Sequence, residues 1–174
     1  MMRVYIPATL AMLQTLNSTG ELVPVGGTAF ALTPALREAY TAGDDEELAE
    51  AAMREAARAS LRLLDGDVSE PEASEPQTAL PPRRVVVAAD VDDATLRPDL
   101  DAAVVRLAGP VPRASIAAVH VDGADAEAAV RAAVAAVDAA DLGDLDAELA
   151  IGDVEDYDLG WYATQELPFL LELL

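Results

Sequence analysis

The chain has 174 residues, 52% hydrophobic and 25% charged, a globular balance long enough to bury one real core. Its formal net charge of −21 repels phosphate backbones and anionic headgroups, so neither nucleic acid nor a membrane surface is an expected partner. Cysteine and lysine are absent and histidine occurs once, which excludes disulfides, thiolate and iron–sulfur chemistry, a Schiff-base or Walker A lysine, and any site needing two histidines from one chain.

The first expected strand is 3–6, "RVYI", ended by Pro7. Thr9 then reads as the N-cap of a helix carrying Leu10, Leu13 and Leu16, stopped over residues 17–20. Gly26-Gly27 turns the chain into a second strand at 28–32. Thr33-Pro34 is a helix start, a capping hydroxyl followed by proline at N1, and that helix runs to about Tyr40. Asp44 caps a longer helix with Glu47 as its capping-box partner. Leu48, Met53, Ala56, Ala57, Leu61 and Leu64 form its apolar stripe. Arg54, Arg58 and Arg62 form a basic stripe on the other side, suited to an anion or to the acidic end of this or another chain.

Residues 66–82, "GDVSEPEASEPQTALPP", hold four prolines and no aromatic. They read as a surface or disordered insertion inside one domain spanning 1–174, because neither flank makes a sufficient core alone. A valine-rich strand follows at 84–89, then a short helix at 100–107, a strand at 114–121 and a helix at 125–137. Residues 142–158 are acidic, with a possible strand at 148–151. A last strand is expected at 159–162, and Thr164 is placed to cap a closing helix that tolerates Pro168 in its first turn. Strand followed by helix recurs three times, which predicts an α/β sandwich with a mixed sheet of four to six strands.

Several segments, "MRVYIPATLAML", "GTAFALTPALREAY", "ARASLRLL", "RRVVVAADV", "AAVHVDG" and "WYATQELPFLL", together resemble a family of short hypothetical proteins of unknown function from high-GC Gram-positive bacteria. The resemblance implies a cytoplasmic bacterial protein and carries over no catalytic residue. The N-terminus has no signal-peptide pattern, and no stretch reaches the ~20 apolar residues of a membrane span.

Three constellations carry possible chemistry. "VVVAADVDDATL" sets Asp90-x-Asp92 behind a hydrophobic strand, as in the D-x-D-x-T of haloacid-dehalogenase-like phosphatases, but the threonine, Thr95, comes one residue late and no lysine exists. If the strands at 84–89 and 114–121 are neighbours, His120 and Asp122 would join Asp90 and Asp92 at one strand-end cluster suited to magnesium, manganese or calcium. That is the basis of a metal-dependent phosphate-ester hydrolase reading, opposed by an ordinary solvated turn. The acids Asp153, Glu155, Asp156 and Asp158 lack EF-hand spacing and read as a solvated loop. Beyond Arg131 the chain holds eleven acids and no base, a surface for a basic protein partner.

Trp161, Tyr162, Phe169, Leu170, Leu173 and Leu174 belong to the richest large-apolar cluster; a helix buries one face in its own domain, so part of this cluster is expected to make a homodimer or partner contact. The sequence therefore points to a cytoplasmic interaction or accessory module without a cofactor. The hydrolase and a small-molecule binder at the strand ends are the alternatives.

Overall fold

The computed structural model describes residues 1–69 and 80–174. In chain order the elements are β1 (Met2–Ala8), α1 (Leu10–Thr19), β2 (Glu21–Leu22), β3 (Thr28–Phe30), α2 (Pro34–Ala39), α3 (Asp45–Ser69), β4 (Val85–Val91), β5 (Thr95–Leu96), β6 (Val104–Arg106), β7 (Val111–Pro112), β8 (Ile116–Val121), α4 (Glu127–Asp141), α5 (Leu145–Glu155), β9 (Gly160–Tyr162) and α6 (Leu167–Glu172). The first three helices begin where local chemistry places them. The Thr9 hydroxyl accepts from Met12 N at 3.3 Å, Thr33 from Leu36 N at 3.0 Å, and Asp44 Oδ1 from Glu47 N at 2.9 Å. Gly20, at φ 82°, closes α1 in the left-handed conformation that glycine adopts without strain.

The fold is α/β. Its main sheet runs β5-β6-β3-β1-β4-β8-β9, and β2 pairs with β7 in a small second sheet. The sheet differs from the expected mixed one of four to six strands: among the described residues it has seven, and every pairing is antiparallel. The β3–α2–α3–β4 connection is the crossover that the strand–helix pattern calls for. Strand β1 is inserted between β3 and β4, however, and runs antiparallel to both. Pro7 does not end β1 but lies within it, opposite Val86. Strand β3 meets β1 only at Tyr5↔Phe30, so at Pro7 the strand has a ladder on one side and a residue without an N–H fits.

Three other expectations are corrected. The helix at 100–107 is instead the β5–β6 hairpin, closed by Arg97 N to Val104 O at 2.9 Å; paired β-branched Val104 and Val105 outweigh the local apolar count. The strand at 148–151 is the middle of α5. Asp144 caps that helix by accepting from Ala147 N at 3.0 Å, and Ala147, Ile151 and Val154 bury one helical face. Thr164 caps nothing: its hydroxyl donates to Ile116 O, and Glu166 accepts from Ala163 N. Of the insertion expected at 66–82, residues 66–69 continue α3 and residues 70–79 lie outside the described residues.

Side-chain alternation divides the core between the two faces of the sheet. Val4, Ile6, Val85, Val87, Val119 and Val121 meet Leu10, Leu13 and Leu16 of α1 and Leu167 and Leu170 of α6. On the opposite face Phe30, Val86 and Val104 meet Ala52, Ala56 and Ala57 of α3, where alanines let the helix approach closely. Buried Ser60 fastens α3 to the sheet, donating to Ala8 O at 2.7 Å and accepting from Val85 N at 3.0 Å. Helix α4 packs on α3 and α5 on α4, with Leu61, Val130, Val134, Val137, Ile151 and Val154 between them. Among the described residues, no helix is long and apolar enough to cross a membrane.

Candidate functional site

The register pairs Val86↔His120 and His120↔Trp161 set these three side chains on the α3 face of the sheet, at the end where β9 is the last strand. The α4–α5 hairpin leaves a gap there. Glu50, Met53, Arg54, Ala57, Arg58 and Leu61, spaced by three and four along α3, form one wall. Ile151, Val154 and Glu155 of α5 form the other, and Tyr157, Asp158 and Leu159 join them to β9. Together with Arg84, His120 and Trp161 they enclose an open groove of about 530 Å³, within the size range of ligand sites. Trp161 is 61% exposed.

A buried ion pair supports the groove from behind. Arg84 Nε and Nη2 each donate at 2.8 Å to the two oxygens of Asp122, whose side chain has no exposed surface. Asp122 also accepts from Arg84 N at 2.9 Å, and Arg84 Nη2 donates to Tyr157 O at 2.7 Å. The bidentate geometry compensates the desolvation of both charges and ties the segment after α5 to the sheet.

A second ionic group joins the three helices. Arg58 donates to Asp141 at 3.0 Å and to Glu148 at 3.1 Å, while Arg62 holds Asp141 through both oxygens at 2.8 and 3.0 Å. Hydrogen bonding from Arg62, aided by Arg58, pulls the Asp141 carboxyl down to about 2. The basic stripe of α3 thus meets the acidic end of its own chain. Arg54 is the member left without an ion pair to any described residue.

The expected strand-end cluster does not assemble. Because β4 and β8 are antiparallel, His120 and Asp122 lie beside the start of β4, whereas Asp90 and Asp92 lie at its end, so that even the nearest of them, His120 and Asp90, are separated by roughly 13 Å at strand rise. Asp90 is held by Arg3 Nε at 2.7 Å and Nη2 at 3.1 Å, and this hydrogen bonding lowers its pKa. Asp92 is 85% exposed, 3.5 Å from the N-terminal ammonium. Asp122 is committed to Arg84. His120 is half-buried, and burial, with Arg3 contributing, lowers its pKa and favours the neutral imidazole. Among the described residues, no group of three or more His, Asp or Glu side chains is placed to hold a metal ion.

The C-terminal apolar cluster also separates. Leu170 is buried in the core against α1 and is not available to a partner; Tyr162 packs half-buried on that same face. Phe169 and Leu173 point outward at 68% and 83% exposure, Leu174 is at the border, and Trp161 lies across the sheet in the groove. Asp153, Glu155, Asp156 and Asp158 occupy the end of α5 and the turn after it, all exposed. Glu50, Tyr157 and Leu159 line the groove, and no motif in the sequence marks them as site residues. Gly143-Asp144, a helix stop followed by an N-cap, is the signal that announces α5 and the wall formed by Ile151, Val154 and Glu155.

A family model, described as a family of unknown function (DUF6912), matches residues 2–171, and the chain belongs to that family. No match is found among the curated proteins or among the solved structures.

Proposed function

We propose that the chain is a non-enzymatic cytoplasmic binding module whose recognition surface is the groove between α3, α5 and β9, and whose ligand is a segment of a partner protein. The observation that carries this reading is the groove itself: about 530 Å³, open to solvent, with the chain's one tryptophan exposed inside it. Large aromatic side chains at a concave surface are the usual anchors of protein recognition. Of the carboxylates that the sequence offered for metal or acid–base chemistry, Asp90 is engaged by Arg3 and Asp122 by Arg84.

The test is a charge-unbiased peptide-display selection against the full chain, repeated on Trp161→Ala. The reading expects peptides that bind the native chain and lose binding to the variant. A selection yielding no Trp161-dependent binder removes it. A second contact, a homodimer through α6, is favoured by Phe169 and Leu173, exposed one turn apart. Light scattering after size exclusion would show a dimer for the native chain and a monomer for Phe169→Asp; a native monomer rejects it.

A further inference from the structure

We infer that the partner enters as an extended, basic segment that adds a strand to β9 and seats one arginine or lysine side chain in the groove beside Trp161. This rests on the binding-module reading above.

Backbone availability comes first. Strand β9 ends the main sheet: one side pairs with β8 through Val119↔Tyr162, His120↔Trp161 and Val121↔Gly160, and its other side pairs with no strand among the described residues. Gly160 and Trp161 are both exposed. An open edge is a template for an incoming strand, whose main chain supplies affinity and whose alternate side chains supply specificity. Since Trp161 already projects to the α3 side, every second residue of a strand laid along β9 projects to that side as well.

Charge decides what those residues are. Of the cations lining the groove, Arg84 is neutralised by Asp122 and Arg58 by Asp141 and Glu148. The carboxylates Glu50, Glu155 and Asp158 form no ion pair with any described residue, and Arg54 alone opposes them. The surroundings extend this sign, since the chain beyond Arg131 contains eleven acids and no base. A guanidinium or ammonium on the Trp161 indole gains cation–π attraction as well as these carboxylates. The same charge disfavours a second copy of the chain: two β9 edges brought together would unite two surfaces of one sign on molecules of net charge −21 each.

The experiment uses the full chain and three blocked hexapeptides: alternating Arg-Val, alternating Glu-Val, and the Arg-Val peptide with alternate backbone nitrogens methylated along one edge. Readouts are the fluorescence of Trp161 and amide shifts at residues 160–162. The inference expects saturable binding of the Arg-Val peptide, no binding of the Glu-Val peptide, and affinity weakened by about tenfold on methylation, which keeps the charge and removes the ladder. Glu155→Gln with Asp158→Asn, both exposed and outside the core, should weaken Arg-Val binding by about threefold or more. Equal binding of the methylated peptide, or shifts centred away from β9, overturns strand addition. Display binders that need Trp161 but are acidic or neutral overturn the basic partner and leave the binding-module reading standing, whereas an absence of Trp161-dependent binders overturns both.

Discussion

On one face of the sheet, α1 and α6 lie directly on the strands, and Leu10, Leu13, Leu16, Leu167 and Leu170 fill the space above the valines of β1, β4 and β8. On the other face only α3 touches the sheet extensively; α4 rests on α3 and α5 on α4. The first arrangement is sealed by leucines. The second uses alanines under α3 and covers the β8–β9 end at one remove, which leaves the groove. The difference teaches that this chain's cavity comes from layering: a helix pair carried on α3 rather than laid on the strands leaves space over the β8–β9 end.

Changes at the two faces should therefore separate stability from binding. The largest loss is expected from Arg84→Ala, which leaves Asp122 charged, buried and unpaired: about 3–5 kcal/mol by urea denaturation, a large part of the 5–15 typical of a domain. Leu13→Ala on the sealed face should cost about 3 kcal/mol through a cavity that the surrounding leucines only partly fill. Ser60→Ala strands Val85 N and Ala8 O without their shared hydroxyl and should cost about 1–3 kcal/mol by the same measurement.

Acid gives a smaller effect. The Asp141 carboxyl is lowered to about 2 in the folded chain, so its pairs with Arg62 and Arg58 stabilise fully above its unfolded value near 4. That contribution falls away as pH drops from about 4 to about 2. With the pair partly solvated it amounts to about 1 kcal/mol or less, visible as a flattened acid limb in Asp141→Asn. Trp161→Ala should change stability least, by about 0.5 kcal/mol or less, while abolishing binding; a loss comparable to Leu13→Ala would make Trp161 a core residue and dissolve the contrast.

What the sequence disclosed follows the range of each interaction. The caps at Thr9, Thr33 and Asp44 were legible because donor and acceptor lie three residues apart. The core leucines of α1 followed from their spacing. The role of Asp122 was not legible, since its partner lies 38 residues earlier and antiparallel pairing decides which strand ends meet. The meeting of Arg58 and Arg62 with acids of the C-terminal region could be named as one option but not chosen, because it requires the α3–α4–α5 packing. Trp161 and Phe169 were grouped by nearness in the chain, yet a three-residue strand and a turn carry them to opposite sides of the sheet.

The wall formed by α5 is clamped at two points of unlike character. Near its C-terminal end Arg84 grips Tyr157 O from the dry interior, and near its N-terminal end Glu148 meets Arg58 close to the surface. Ions in solution shield the second clamp and hardly reach the first. The α5 wall is thus held to the rest of the molecule by one bond that salt leaves alone and one that salt weakens, while Ile151 and Val154 keep it packed on α4 in either case.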